Sequence, residues 1–106
     1  MKFEATKCIA IQVSQYKEAI EFYKNVMNME VKKTSGLETE FKSGDLTLFI
    51  EDQQPNGQVL LEFRVEDIEV ARKELTNAGC QITKEYGDKS ILIKDPYGMT
   101  FHLFQD

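Results

Sequence analysis

The sequence has no tryptophan, one histidine and two cysteines in 106 residues. No stretch approaches the roughly 18 consecutive apolar residues that a membrane-spanning helix needs. The opening residues, Met1-Lys2-Phe3-Glu4-Ala5-Thr6-Lys7, offer neither an apolar core nor a small-residue cleavage site, so a signal peptide is not expected and the cytoplasm is the expected location. Cys8 and Cys80 fit no metal-ligand spacing and no disulfide framework, and both read as reduced thiols. A basic surplus is also missing: 13 Lys and Arg stand against 18 Asp and Glu, for a net charge of −5. That balance argues against a nucleic-acid partner, whose phosphates are bound through Lys and Arg. It suits a cationic ligand better than an anionic one.

What is present is a repeat. Val13-Ser14-Gln15 opens a helical pattern that ends near Asn28 and leads to Val31; Val65-Glu66-Asp67 opens a similar one that ends at Gly79 and leads to Ile82. Lys42-Ser43-Gly44-Asp45-Leu46-Thr47-Leu48 parallels Asp95-Pro96-Tyr97-Gly98-Met99-Thr100-Phe101-His102. The length suits one domain built from two modules, residues 1–52 and 59–106, joined by a polar linker at 53–58.

Each module reads as strand, helix, three strands. Cys8–Val13 alternates, with Ile9, Ile11 and Val13 on its apolar face. The spacing predicts a helix from Gln15 to Asn28, capped by Ser14, with Ala19, Phe22, Tyr23, Val26 and Met27 as its buried stripe. Asn28 can end that helix in the left-handed conformation. Strands are expected near Glu30–Thr34, Glu38–Lys42 and Leu46–Glu51. In the second module Val59–Val65 is a strand with Leu61, Phe63 and Val65 on one face. Asp67 caps a helix whose stripe is Ile68, Ala71, Leu75 and Ala78, and Gly79 stops it. Gln81–Tyr86, Ser90–Lys94 and Met99–Phe104 follow as strands, and Asp95-Pro96-Tyr97-Gly98 fits a type I turn. One helix covers one face of each sheet. The other face, carrying Cys8, Ala10, Gln12, Leu60, Glu62 and Arg64, is left to line a concave site.

These segments resemble the vicinal oxygen chelate superfamily, which includes glyoxalase I, bleomycin-resistance proteins, fosfomycin-resistance proteins and extradiol dioxygenases. The carrying residues are Ile11-Gln12-Val13-Ser14-Gln15 with Ala19-Ile20-Glu21-Phe22-Tyr23, then Phe63-Arg64-Val65-Glu66-Asp67 with Ala71-Arg72 to Ala78-Gly79, and Asp95-Pro96-Tyr97-Gly98. The resemblance implies an α+β fold of two βαβββ modules forming a curved, cup-like mixed sheet with helices on the outer face. It leaves the function open, because this fold hosts many chemistries.

Metal-dependent members place ligands early in the first strand and late in the last strand of each half. The resemblance puts those positions here at Cys8, Leu48, Leu60 and His102. Two leucines ligate nothing, and Cys8 with His102 falls short of the three donors that zinc or a catalytic iron, manganese or nickel site wants. Glu62 lies on the cavity face but is displaced from the family position, so its use as a third donor would require a rearranged coordination shell. No metal and no cofactor are therefore expected.

The ligand-binding residues expected on the cavity face are Cys8, Leu48, Leu60, Glu62, Arg64, Tyr86, His102 and Phe104. His102 can orient a ligand or act as a base. Cys8 is either a small buried residue or, within reach of His102, a nucleophile. Glu62 and Arg64 hold a charged ligand or pair at the rim, while Tyr86 and Phe104 supply aromatic walls or pack in the core. The first expectation is a metal-free small-molecule binder, similar to the bleomycin-resistance branch; the absence of tryptophan weakens the case for bleomycin itself. The second is a lyase, isomerase or dioxygenase with a non-standard metal site. The third is an interaction module whose cavity is filled by its own leucines. In each case a homodimer is expected, because exposed sheet edges favour pairing.

Overall fold

A computed structural model describes residues 1–53 and 56–106 of the chain. Gln54 and Pro55, in the expected linker, lie outside the described residues. The strands are β1 (Glu4–Val13), β2 (Glu30–Ser35), β3 (Glu38–Ser43), β4 (Leu46–Asp52), β5 (Gln58–Val65), β6 (Gln81–Glu85), β7 (Ser90–Lys94) and β8 (Thr100–Gln105). The helices are α1 (Tyr16–Glu21), which runs into a π turn at Phe22–Val26, and α2 (Ile68–Asn77). The expected α+β class and the βαβββ order of both modules are present.

The chain forms two compact units, one of Lys7–Val59 and one of Met1–Thr6 with Leu60–Asp106. In the first unit the strand order is β2-β3-β4-β1, with β1 and β4 parallel and the other pairs antiparallel. Ile9 and Ile11 lie beside Leu48 and Ile50. Together with Val13 and Phe41 they pack against Tyr16, Ala19, Ile20 and Tyr23 of the helix. Phe41 and Ile50 are fully buried. In the second unit the order is β5-β8-β7-β6, with β5 and β8 parallel. Phe63, Val65, Ile91, Ile93, Phe101 and Leu103 face Ile68, Ala71 and Leu75 of α2. Each sheet thus spends its more apolar face on its own helix, at about 1.5–3 kcal/mol per fully buried large side chain. Leu61 shares that face by alternation but is exposed.

The second helix follows its sequence signals. Asp67 accepts hydrogen bonds from the Glu69 and Val70 amides, and Gly79 at φ +100° turns the chain so that the Cys80 amide reaches the Leu75 carbonyl. Asp95 Oδ1 likewise accepts from the Tyr97 and Met99 amides, which sets the turn into β8.

The first helix departs from expectation. It begins one residue later, without a side-chain cap, and the Ser14 amide instead donates to Asn56 Oδ1. The Met27 amide bonds to the Phe22 carbonyl, an i to i+5 contact that widens the last turn. Tyr16, Ala19, Ile20 and Tyr23 pack inward at ordinary helical spacing, which leaves Phe22 off the buried face, and past the widened turn Val26 and Met27 are exposed as well. Asn28 closes the segment at φ +54°, as expected. The strand β1 also starts earlier than the alternation suggested, at Glu4 rather than Cys8.

Candidate functional site

The face of β5-β8-β7-β6 that turns away from α2 carries a continuous line of polar contacts. Glu62 lies opposite His102 on the parallel β5–β8 pair, and Ser90 lies opposite Phe104 on the antiparallel β7–β8 pair. Period-two alternation then puts Glu62, His102, Phe104 and Ser90 on one face, while Phe63, Phe101, Leu103 and Ile91 fill the other.

His102 sits at the centre. Its Nδ1 is 3.1 Å from Glu62 Oε2, and its Nε2 is 2.5 Å from Ser90 Oγ. Thr6 Oγ1 donates to the other Glu62 oxygen at 2.7 Å. The Glu62 carboxylate accepts from an Nδ1–H, and in that tautomer the bare Nε2 lone pair accepts from the Ser90 hydroxyl. Aromatic rings hold the imidazole plane. Phe104 stacks on it at 5.8 Å and 19°, and Tyr86 meets it edge-on at 6.2 Å and 86°. Lys84 Nζ lies over the Tyr86 ring at 4.9 Å. The His102 and Glu62 side chains keep 27% and 21% of their exposure, so the line is shielded yet reachable from solvent.

Four of the expected residues therefore converge: Glu62, Tyr86, His102 and Phe104. Arg64 does not join them. Its guanidinium pairs with Glu4 at 3.0 Å and approaches Asp106 at 3.9 Å, contacts that raise its pKa further. It lines a separate cleft with Lys2, Glu66 and Gln105. Leu60 is buried and belongs to neither helix-packed core. Cys8, half-buried, lies beside Thr47 on the face of β1 opposite Ile9 and Ile11.

Leu48 requires a correction. It lies beside Ile9 and is buried against Phe41 and Ile50 on the helix side, so it is a core residue. The reason is the turn. Strands β3 and β4 meet in a tight hairpin with Ser43 opposite Leu46, whereas β7 and β8 are joined by the longer Asp95 turn with Lys94 opposite Thr100. Counting a fixed number of residues from each glycine thus shifts the first module by one, which reverses the face. The register equivalent of the Glu62–His102 pair is Ala10–Phe49.

Two residues of the constellation escaped the sequence reading, Ser90 and Thr6. Ser90 alternates with the apolar Ile91 and Ile93, a pattern that assigns it to the polar face. Thr6 was hidden by starting β1 too late.

A family model described as Glyoxalase/Bleomycin resistance protein/Dioxygenase superfamily matches residues 7–103. The chain belongs to this superfamily. No curated protein matches the sequence. Among solved structures, a superfamily member from Vibrio splendidus 12B01 is 17% identical with a TM-score of 0.71, over 99% of this chain and 100% of that one. Homoprotocatechuate 2,3-dioxygenase from Arthrobacter globiformis is 18% identical with a TM-score of 0.73, over 99% of this chain but 37% of that one. Methylmalonyl-CoA epimerase from Mycobacterium tuberculosis is 16% identical with a TM-score of 0.60, over 97% and 86%. At these identities the likeness is one of fold.

The metal used by metal-dependent members of the superfamily does not fit this donor set. Among the described residues no three His, Cys, Asp or Glu side chains group as ligands. Both nitrogens of His102 are already engaged, and of the four positions inherited from the resemblance Leu48 points into a core.

Proposed function

We propose that this superfamily member is a metal-free small-molecule-binding protein whose site is the Glu62–His102–Ser90 line with the Tyr86 and Phe104 rings. The observation that carries this reading is the locking of His102 between two hydrogen bonds and two rings. A polar line set among aromatic walls is the usual make-up of a small-molecule site. The carboxylate of Glu62, the aromatic faces and the net charge of −5 favour an aromatic or cationic ligand. The burial of Leu48 on the helix side weakens the reading as a self-filled, vestigial cavity.

A lyase, isomerase or dioxygenase with a non-standard metal site is the second reading. It draws on the adjacency of one nitrogen and one oxygen donor, His102 and Glu62. In either reading the chain is a homodimer, in which a second copy covers exposed apolar side chains such as Phe22, Val26 and Met27.

The test is metal content of untagged protein by elemental mass spectrometry, after incubation with iron, manganese, nickel and zinc and desalting. A thermal-shift screen with cationic and aromatic small molecules follows. Binding without stoichiometric metal, weakened about tenfold or more in His102→Ala and Phe104→Ala, is the expected result. One equivalent of metal that disappears in His102→Ala refutes it and moves the search to lyase and dioxygenase substrates.

A further inference from the structure

Ligand binding alone does not require a hydroxyl aligned on an oriented imidazole. Ser90 Oγ is 2.5 Å from His102 Nε2, and His102 Nδ1 is held 3.1 Å from a Glu62 carboxylate that Thr6 in turn fixes. This order of nucleophile, base and orienting acid is recognised by geometry and roles, on any fold. We infer that Ser90 is a nucleophile activated by His102, and that the site cleaves activated carboxylic esters. The inference rests on the reading of this face as a small-molecule site.

The chemistry balances with water as the only co-reactant. Ser90 Oγ attacks the carbonyl carbon while its proton passes to His102 Nε2. The bond to the leaving alkoxide breaks, and that oxygen takes the proton from Nε2. Water then attacks the acyl carbon and gives a proton to Nε2. The acyl–Oγ bond breaks, and the proton returns to Ser90. One ester and one water yield one acid and one alcohol, with no change of oxidation state.

Each neighbour has a role in this scheme. Ser90 and His102 are the catalytic residues. Glu62 is a positioning residue: it keeps the proton on Nδ1, so that Nε2 presents a lone pair to the hydroxyl. Thr6 holds Glu62, and the Phe104 and Tyr86 rings stop the imidazole from turning out of line. The Phe104 ring also offers an apolar wall beside Ser90, its partner across the β7–β8 pair, for the acyl or alcohol group.

The experiment is covalent labelling of the full chain with diisopropyl fluorophosphate. In that reaction Oγ forms a bond to phosphorus, fluoride leaves, and the proton goes to Nε2. Intact mass and peptide mapping are expected to show one adduct per chain, on Ser90. His102→Ala and His102→Gln are expected to slow labelling by about 100-fold or more. Glu62→Gln is expected to slow it by about tenfold or more at an unchanged melting temperature, because the amide N–H would face Nδ1 and push the imidazole proton onto Nε2. Glu62→Asp should recover part of the rate, which a merely structural role would not produce. Hydrolysis of p-nitrophenyl acetate should follow the same order of variants. No adduct on the folded wild-type protein, an adduct elsewhere, or labelling indifferent to His102 overturns the inference. Thermal shifts with non-covalent ligands on the wild-type protein, weakened in Phe104→Ala, would then leave the binding reading standing alone.

Discussion

Glu38 and Glu51 face each other across the β3–β4 pair. Burial first, and then the charge and hydrogen bond of Glu51, raise the pKa of Glu38 above its ordinary 4.5; Lys33 offsets only part of this. The sign follows. A carboxyl whose folded pKa is raised is better accommodated protonated, so its favourable contribution is full below the unfolded value. That contribution is lost as pH rises through the folded value. At neutral pH two like charges then stand opposite each other, an arrangement that costs about 0.2–1 kcal/mol in a sheet. Glu38 is half-buried, so solvent screening keeps the cost toward the lower end. Glu38→Gln retains a hydrogen-bonding side chain and removes the charge. It should raise the melting temperature by about 1–5 °C at neutral pH. As pH falls through the raised folded value and below the unfolded one, the wild-type carboxyl takes up its proton and the gain should fade. Paired thermal melts of wild type and variant across that range, followed by circular dichroism, measure the difference directly, and the titrations of groups not coupled to Glu38 cancel in it. Glu51→Gln should give the same sign, and the double variant less than the sum. A gain independent of pH, or a loss at neutral pH, would refute the account of the pair.

Three further outcomes are expected. Leu48→Ala should cost about 2–5 kcal/mol in urea unfolding, because it empties a site packed by Phe41 and Ile50, and should leave ligand affinity unchanged. Asp67→Ala removes two capping bonds to amides of the first α2 turn and should cost about 1 kcal/mol by the same assay. Gly79→Ala places a Cβ 3.4 Å from Pro96 at φ +100°, and should lower stability by about 1 kcal/mol or more; a neutral result would refute the backbone argument.

The fold was legible wherever the pattern was local. Alternation in Ile9, Ile11 and Val13 named the helix-facing side of β1, and Asp67 and Gly79 marked α2 at both ends, because capping is chemistry between near neighbours in sequence. The π turn at Phe22–Val26 was not legible, since a single widened turn leaves no periodic trace in five residues. The site was half legible. Glu62 and His102 could be placed on one face by alternation, and alternation with Ile91 and Ile93 gives Ser90 a polar face too, but only the strand pairing sets it beside a histidine twelve residues on. Leu48 failed for the opposite reason: the two hairpins look alike in sequence and differ in loop length, and in a strand one residue is the whole difference between inside and outside.

The Ala10–Phe49 pair of the other module stands at the register position that Glu62 and His102 occupy in theirs. The molecule therefore carries its own blank beside its worked example. In the blank, the same parallel strands meet with a methyl group and a benzyl ring, and no proton has anywhere to go. Writing Ala10→Glu and Phe49→His into that copy asks whether a strand pair alone is enough to set an acid and a histidine in line, or whether the serine, the threonine and the flanking rings must be transplanted with them.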